Sequence, residues 1–191
     1  MIDVALTVLR DRLNAHLSAR FGVSEDLVVM APLSDAEGSP TAETRNRLAL
    51  FVTNIAEDGM PRVTSRGTRG ALGGMQPLHL DIYFMLASGH DPEIYGEGLK
   101  LISAALMFFQ ATPLLTPANA PEMAVGIEQL SIEVANLRVE EVGQLWGNMG
   151  GRYVPSVMFK MRSVMIDANA VTQLLPLVMA PDEHIVPEPG A

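Results

Sequence analysis

Apolar residues recur at helical spacing from the start of the chain. Ile2, Ala5, Leu6, Leu9, Leu13 and Leu17 fall on one face, with Arg10, Asp11 and Asn14 on the other. The pattern predicts an amphipathic helix packed on a core, with Asn14 on its wet side. LVVMAPL, at 27–33, is short, valine-rich and followed by Ser, Asp, Gly and Pro, which predicts a strand and then a polar loop. RLALFVTNIAED, at 47–58, carries apolar or β-branched residues on both alternating faces, as a central strand covered on two sides would. PLHLDIYFMLAS, at 77–88, alternates Leu78, Leu80, Ile82, Phe84 and Leu86 against His79, Asp81, Tyr83 and Met85. This is the clearest strand in the sequence, with one core face.

Between these strands, residues 59–76 hold five glycines and three arginines with almost no periodicity, and read as a long loop. Asp91-Pro92-Glu93 is a helix start: an N-cap acceptor, a proline at the first helical position and an acid at the positive end of the dipole. Leu99, Ile102, Leu106 and Phe109 form the expected buried stripe, broadened by Leu101, Ala105 and Phe108, until Thr112-Pro113 stops the helix. A proline-rich connection follows, then an expected strand at 126–137 and a short helix at 139–149 ending in Gly150-Gly151. Residues 152–167 close the domain as a long strand. The last stretch, 168–191, with four prolines, an apolar patch LLPLVMA and an acidic end, reads as an arm. The expected fold is α/β or α+β: one domain, 1–167, with a mixed sheet of about four to six strands against the two longer helices.

Composition narrows the function. The chain has 191 residues, 48% of them apolar, enough for one sizeable core. Thirteen Lys plus Arg against 22 Asp plus Glu give a net charge of -9, which opposes general affinity for nucleic acid or an anionic membrane. There is no cysteine, hence no disulfide framework, thiolate metal site or Cys nucleophile. Charges at Asp3, Arg10, Asp11 and Arg12 interrupt any signal-peptide core, and no apolar run reaches the roughly 20 residues needed to cross a bilayer. Cytoplasmic synthesis and folding are expected.

The search for chemistry returns little. The histidines at 16, 79, 90 and 184 lack the spacing of a metal site, so no metal or cofactor is expected. His79 and Asp81 share a strand face, and a carboxylate orienting an imidazole is a catalytic pattern; the polar face of an amphipathic strand looks the same. Glu140-Glu141 opens a helix, where acids suit the dipole. Ser156 lacks the G-x-S-x-G elbow and reads as a turn residue. The glycines at 67, 70, 73 and 74 lack the G-K-[ST] of a phosphate loop. Arg62, Arg66 and Arg69 could dock on an acidic partner or simply be solvated. Trp146 is either a core anchor or an interface hot spot, and Tyr153 is a further interface candidate.

The order of motifs resembles the N-terminal domain of the tail-terminator, or cap, proteins of extracellular contractile injection systems of the antifeeding-prophage and Photorhabdus virulence cassette type. The pieces that carry the likeness are Pro77-Leu78-x-Leu80, Phe108-Phe109-Gln110, Leu145-Trp146 and Tyr153-x-Pro155-Ser156, over about residues 1–167. These positions look structural, and the family offers no catalytic set to carry over. The resemblance implies a phage tail-terminator-like fold and a non-enzymatic subunit. Such a subunit forms a ring with copies of itself, by similarity a hexamer, on the distal end of the inner tube. There it stops elongation and holds the last sheath ring, so its partners would be the tube and sheath proteins of a particle assembled in the cytoplasm. Many relatives continue beyond this length, so functions of a longer C-terminal region do not carry over. The alternatives are an adaptor or baseplate-associated protein of the same particle, and a small hydrolase using His79 and Asp81.

Overall fold

The computed structural model describes residues 1–34, 41–59, 78–123, 127, 129–150 and 153–166. Its first element is the expected helix, α1 (Ile2–Phe21), closed by Gly22 at φ 69°, a left-handed cap whose N–H donates to Ser18 O. Asn14 corrects the helical-wheel reading, because it is buried. Its Nδ2 donates to Val28 O at 2.8 Å, and its Oδ1 accepts from the N–H groups of Leu27 and Val28 at 2.9 and 2.8 Å. One side-chain amide thus serves the outer backbone edge of β1 (Val28–Met30), where no further strand could do so.

The chain continues through β2 (Leu48–Glu57), β3 (Leu78–Ser88), α2 (Tyr95–Ala111), β4 (Leu114–Leu115), β5 (Leu130–Val134), α3 (Val139–Asn148) and β6 (Ser156–Ile166). One six-stranded sheet results, in the order β1-β2-β3-β6-β5-β4. β1 and β2 are parallel and the other neighbours antiparallel, so the sheet is mixed, as expected. The described residues form a single domain of this sheet and three α-helices.

α1 and α2 lie on one face of the sheet. Leu9, Leu13 and Leu17 of α1 and Leu101, Ala105 and Phe109 of α2 pack there on Ile82, Phe84, Phe159 and Met161. The Phe84 and Phe159 rings stack at 5.3 Å, and the Phe109 ring lies 4.4 Å from that of Phe159. Of the family-motif positions, Phe108 and Phe109 are in this core, Leu80 is buried at its rim and Gln110 is exposed.

The buried stripe of α2 is rotated from its expected centre. Gly98, Leu101, Ile102, Ala104, Ala105, Phe108 and Phe109 point inward, Leu99 is exposed and Leu106 is half-buried. Close approach explains the rotation: a Cβ on Gly98 would stand 2.2 Å from Ser88 Oγ, so the helix can touch the end of β3 only along its glycine. Leu99, the next residue, is turned outward.

β2 and β3 exchange their expected parts. β3 pairs along its length with β2 on one side and β6 on the other, and is the strand buried on both faces. β2 is fully covered only at Leu48, Ala49 and Leu50, where β1 lies beside it. Further corrections are smaller. β4 emerges from the proline-rich connection, β5 is shorter than the expected strand, and Ser156 opens β6 instead of making a turn. The loop expected at 59–76 and the arm at 168–191 lie outside the described residues, Gly59 excepted.

Candidate assembly interface

Beyond Leu50, β2 loses its outer neighbour, because β1 is paired only from Val28 to Met30. Among the described residues, no strand pairs with the outer side of residues 51–57. A bulge between Val52 and Asn54 interrupts this segment, and Thr53 Oγ1 donates to Tyr83 O at 3.2 Å. Bulges of this kind blunt an open edge against indiscriminate pairing. The long strands also outrun the helices that cover them. Val52, Ile55 and Leu78 belong to the helix-side face by alternation, since Val52 pairs with Phe84 and Ile55 with Ile82, yet all three are exposed, Ile55 at 47%. Together they make an apolar patch beside an open strand edge at the far end of the β2–β3 pair.

The opposite face of the sheet is divided in two. Its first half is apolar: Met85, Ala87, Phe51 and Met158 pack against Trp146, with Val142, Leu145 and Met149 of α3 and Val154 around it. Trp146, 4% exposed, is the buried residue by which α3 is anchored, so it occupies the core position of its two alternatives. Tyr153 is 63% exposed and sets its ring edge-on to the Trp146 indole, with centroids 5.8 Å apart. Glu141 Oε2 accepts from Arg138 N–H at 2.8 Å, which accounts for one of the two acids at the start of α3. Pro155 O accepts from Ser88 N–H at 2.9 Å, locking the entry to β6.

The second half is charged. Lys160 Nζ lies 2.6 Å from Asp81 Oδ2 and 5.4 Å from the centroid of the Tyr83 ring. The Asp81 side chain is 6% exposed and that of Lys160 14%, and the carboxylate holds the lysine pKa above its usual value. Arg162 pairs with Glu133 at 3.1 Å on the neighbouring strand. Three polar atoms here are buried without a hydrogen-bond partner: Asp81 Oδ1, His79 Nδ1 and Arg162 Nε.

These contacts bear on the catalytic alternative. His79 and Asp81 share a face as the alternation requires, but the carboxylate is engaged by Lys160, and neither His79 Nδ1 nor Asp81 Oδ1 has a partner. The orienting bond that an imidazole base needs is not made. Sequence reasoning missed a different pair. Ser88 Oγ and His90 Nδ1 are 3.0 Å apart, and burial lowers the His90 pKa against the opposing pull of Glu97 and Asp91. Ser88 is buried beneath Gly98, so its hydroxyl cannot meet a substrate, and the pair fixes the β3–α2 corner. A serine two residues before a histidine carries no sequence signal. Among the described residues no group of three or more His, Asp or Glu side chains could hold a metal ion. Arg62, Arg66, Arg69 and Pro77 lie outside the described residues.

A family profile described as the Pvc16 N-terminal domain matches residues 5–179. The chain belongs to that family. Two solved structures share the fold of this Pvc16 N-terminal domain. One is the PVC sheath/tube terminator of an extracellular contractile injection system in its extended state, at TM-score 0.54 and 14% identity, over all of this chain and 64% of that one. The other is the tube-terminating cap of the anti-feeding prophage, at TM-score 0.54 and 16% identity, over 98% of this chain and 61% of that one. The chain therefore spans less than two thirds of the length of either. A search of curated proteins gives no match. No helix among the described residues is long and apolar enough to cross a membrane.

Proposed function

We propose that this chain is the terminator domain of a cap subunit, a structural protein that forms a ring on the distal end of the inner tube of a contractile injection particle. There it ends polymerisation and anchors the last sheath ring. What carries the reading is the family match over residues 5–179, reinforced by two terminator folds that run over nearly the whole chain. The partners are copies of itself, arranged as a hexamer, and the tube and sheath proteins. A head-to-tail interface whose rotation closes makes such a ring. The -9 charge argues against nucleic acid or membrane as partners, and assembly is assigned to the cytoplasm.

The open edge of β2 gives the sheath a place to bind. An extended sheath arm can add a strand there, because main-chain pairing supplies affinity while the exposed Val52 and Ile55 supply apolar contact. Deleting the sheath termini is expected to abolish co-purification with this chain; undiminished binding would remove the sheath arm from the account. Arg62, Arg66 and Arg69 are assigned to ring or tube contacts, since they belong to the stretch of sequence that joins the same two strands.

The function itself is tested on particles made without this chain. Tube lengths measured by negative-stain microscopy are expected to spread well beyond their normal value. Tubes of unchanged length with displaced cargo or baseplate would replace the cap with an adaptor.

A further inference from the structure

The two helices that cover the sheet differ on their outer sides. α1 turns Asp3, Asp11 and Arg20 to solvent, as a helix with one buried stripe should. α2 does not. Tyr95, Leu99, Ser103 and Met107 recur every four residues along its outer side, and all four are exposed. The serine hydroxyl in the middle of this stripe is spent within the helix, since Ser103 Oγ donates to Leu99 O at 2.8 Å. The charged residues of α2, Glu97 and Lys100, stand to one side of the stripe and pair with each other at 2.7 Å. At its C-terminal end the stripe runs into an apolar groove of about 440 Å3 between α2 and β5, lined by Leu106, Met107, Gln110, Pro113, Ile132 and Val134. Helices that are apolar on every side are buried on every side, so this face calls for a partner.

We propose that the outer face of α2, with the groove, seats the next copy of this chain in the ring, which presents its α3 side there. The inference rests on the cap reading and adds to it the surface by which the ring closes. Backbone chemistry and charge select this occupant. The backbone groups of a helix are spent inside it, so an extended arm gains no main-chain pairing on α2; what the face offers is side-chain packing to a folded neighbour. Every copy carries a net charge of -9, so ring neighbours repel one another wherever charged surfaces meet. On the outer face of α2 that repulsion is least, because its two charges cancel within the helix.

A head-to-tail ring needs a second, different surface on each copy. The far side of the sheet supplies it. Val139, 85% exposed, opens α3, and Tyr153, the exposed partner of the Trp146 ring, follows the same helix. These two are the most exposed large hydrophobic side chains among the described residues.

The test uses complete particles. Leu99, which is exposed, is replaced by the photo-crosslinker p-benzoylphenylalanine, purified particles are irradiated, and the captured peptides are read by mass spectrometry. The expected product is this chain joined to further copies of itself, with the crosslink falling between Val139 and Tyr153. Capture of a tube or sheath protein, capture of any other part of a copy, or no capture in particles that hold the chain would overturn the contact and leave the cap reading standing. Particles that lack the chain would instead remove the cap reading, and the contact with it. A Leu99→Glu/Met107→Glu variant gives a second reading. Both side chains are exposed, so the melting temperature of the isolated chain is expected to stay unchanged. The amount of chain in purified particles is expected to fall about tenfold or more, since two carboxylates would leave water without a partner. Undiminished incorporation would overturn the proposal.

Discussion

Across β3 the two faces of the sheet differ in kind. The helix-side face is a continuous apolar core in which Phe84, Phe109 and Phe159 meet and α1 and α2 share the cover. The opposite face has one helix anchored through Trp146, and beside it a lysine, an arginine and two acids paired across β3, β6 and β5, with three buried polar atoms unpartnered. Dispersion and burial are indifferent to direction, so the first face can make the fold. Half-satisfied charge costs stability and repays it in a definite arrangement of strands. The difference separates what holds this domain together from what fixes its outward geometry.

The comparison can be broken in several places. Phe159→Ala removes a fully buried ring that touches two others, and is expected to cost about 3–5 kcal/mol. Urea unfolding reads it directly, and a loss no larger than that of a surface substitution would deny the helix-side face its part. Lys160→Met leaves Asp81 buried without its cation and is expected to cost about 3 kcal/mol. Adding Asp81→Leu is expected to recover most of that; a double variant as weak as the single one would mean the pair does not carry the cost.

Trp146→Ala is expected to act locally. Global stability falls by about 3 kcal/mol, while the amides of α3 lose hydrogen-exchange protection and those of α1 and α2 keep theirs. Uniform loss of protection would make the two faces one cooperative unit. The smallest effect is at His90. Burial lowers its pKa below 6.5, so the unfolded state binds the proton more readily than the native state does. Its contribution is complete above pH 6.5 and is lost as pH falls below that value, a slope that His90→Asn should remove from denaturation curves recorded between pH 7 and pH 5.

Much of the fold was legible because its strongest elements obey their periods. α1 and α2 bury apolar residues at the spacing a helix demands, the alternation at 78–86 does mark a strand, and the helix stops at Gly22 and Thr112-Pro113 follow from backbone chemistry. What could not be read depended on distant neighbours. Asn14 looks like a solvent residue until Leu27 and Val28 are brought beside it. Leu99 looks like core until Ser88 requires a glycine next to it. By pattern β2 is the strand covered on two sides and β3 the one with a single core face, and the pairing reverses them: β3 lies between β2 and β6, while the brevity of β1 leaves β2 uncovered beyond Leu50.

The candidate interface was less legible than the fold. Its open edge is a property of pairing, not of residue type, and Asp81 joined a lysine that lies 79 residues further along the chain. Of the positions that carry the family resemblance, Leu80, Phe108, Phe109 and Trp146 are buried and Leu145, Pro155 and Ser156 half-buried, while Leu78, Gln110 and Tyr153 are exposed and Pro77 lies outside the described residues. The resemblance reports architecture more than contacts.

The most direct test of the central claim is the position of this chain in purified particles, determined by cryo-electron microscopy. The cap reading predicts a six-fold ring at the end of the tube opposite the baseplate, with the β2 edge against the last sheath ring. A chain found at the baseplate, or absent from the particles altogether, would contradict it.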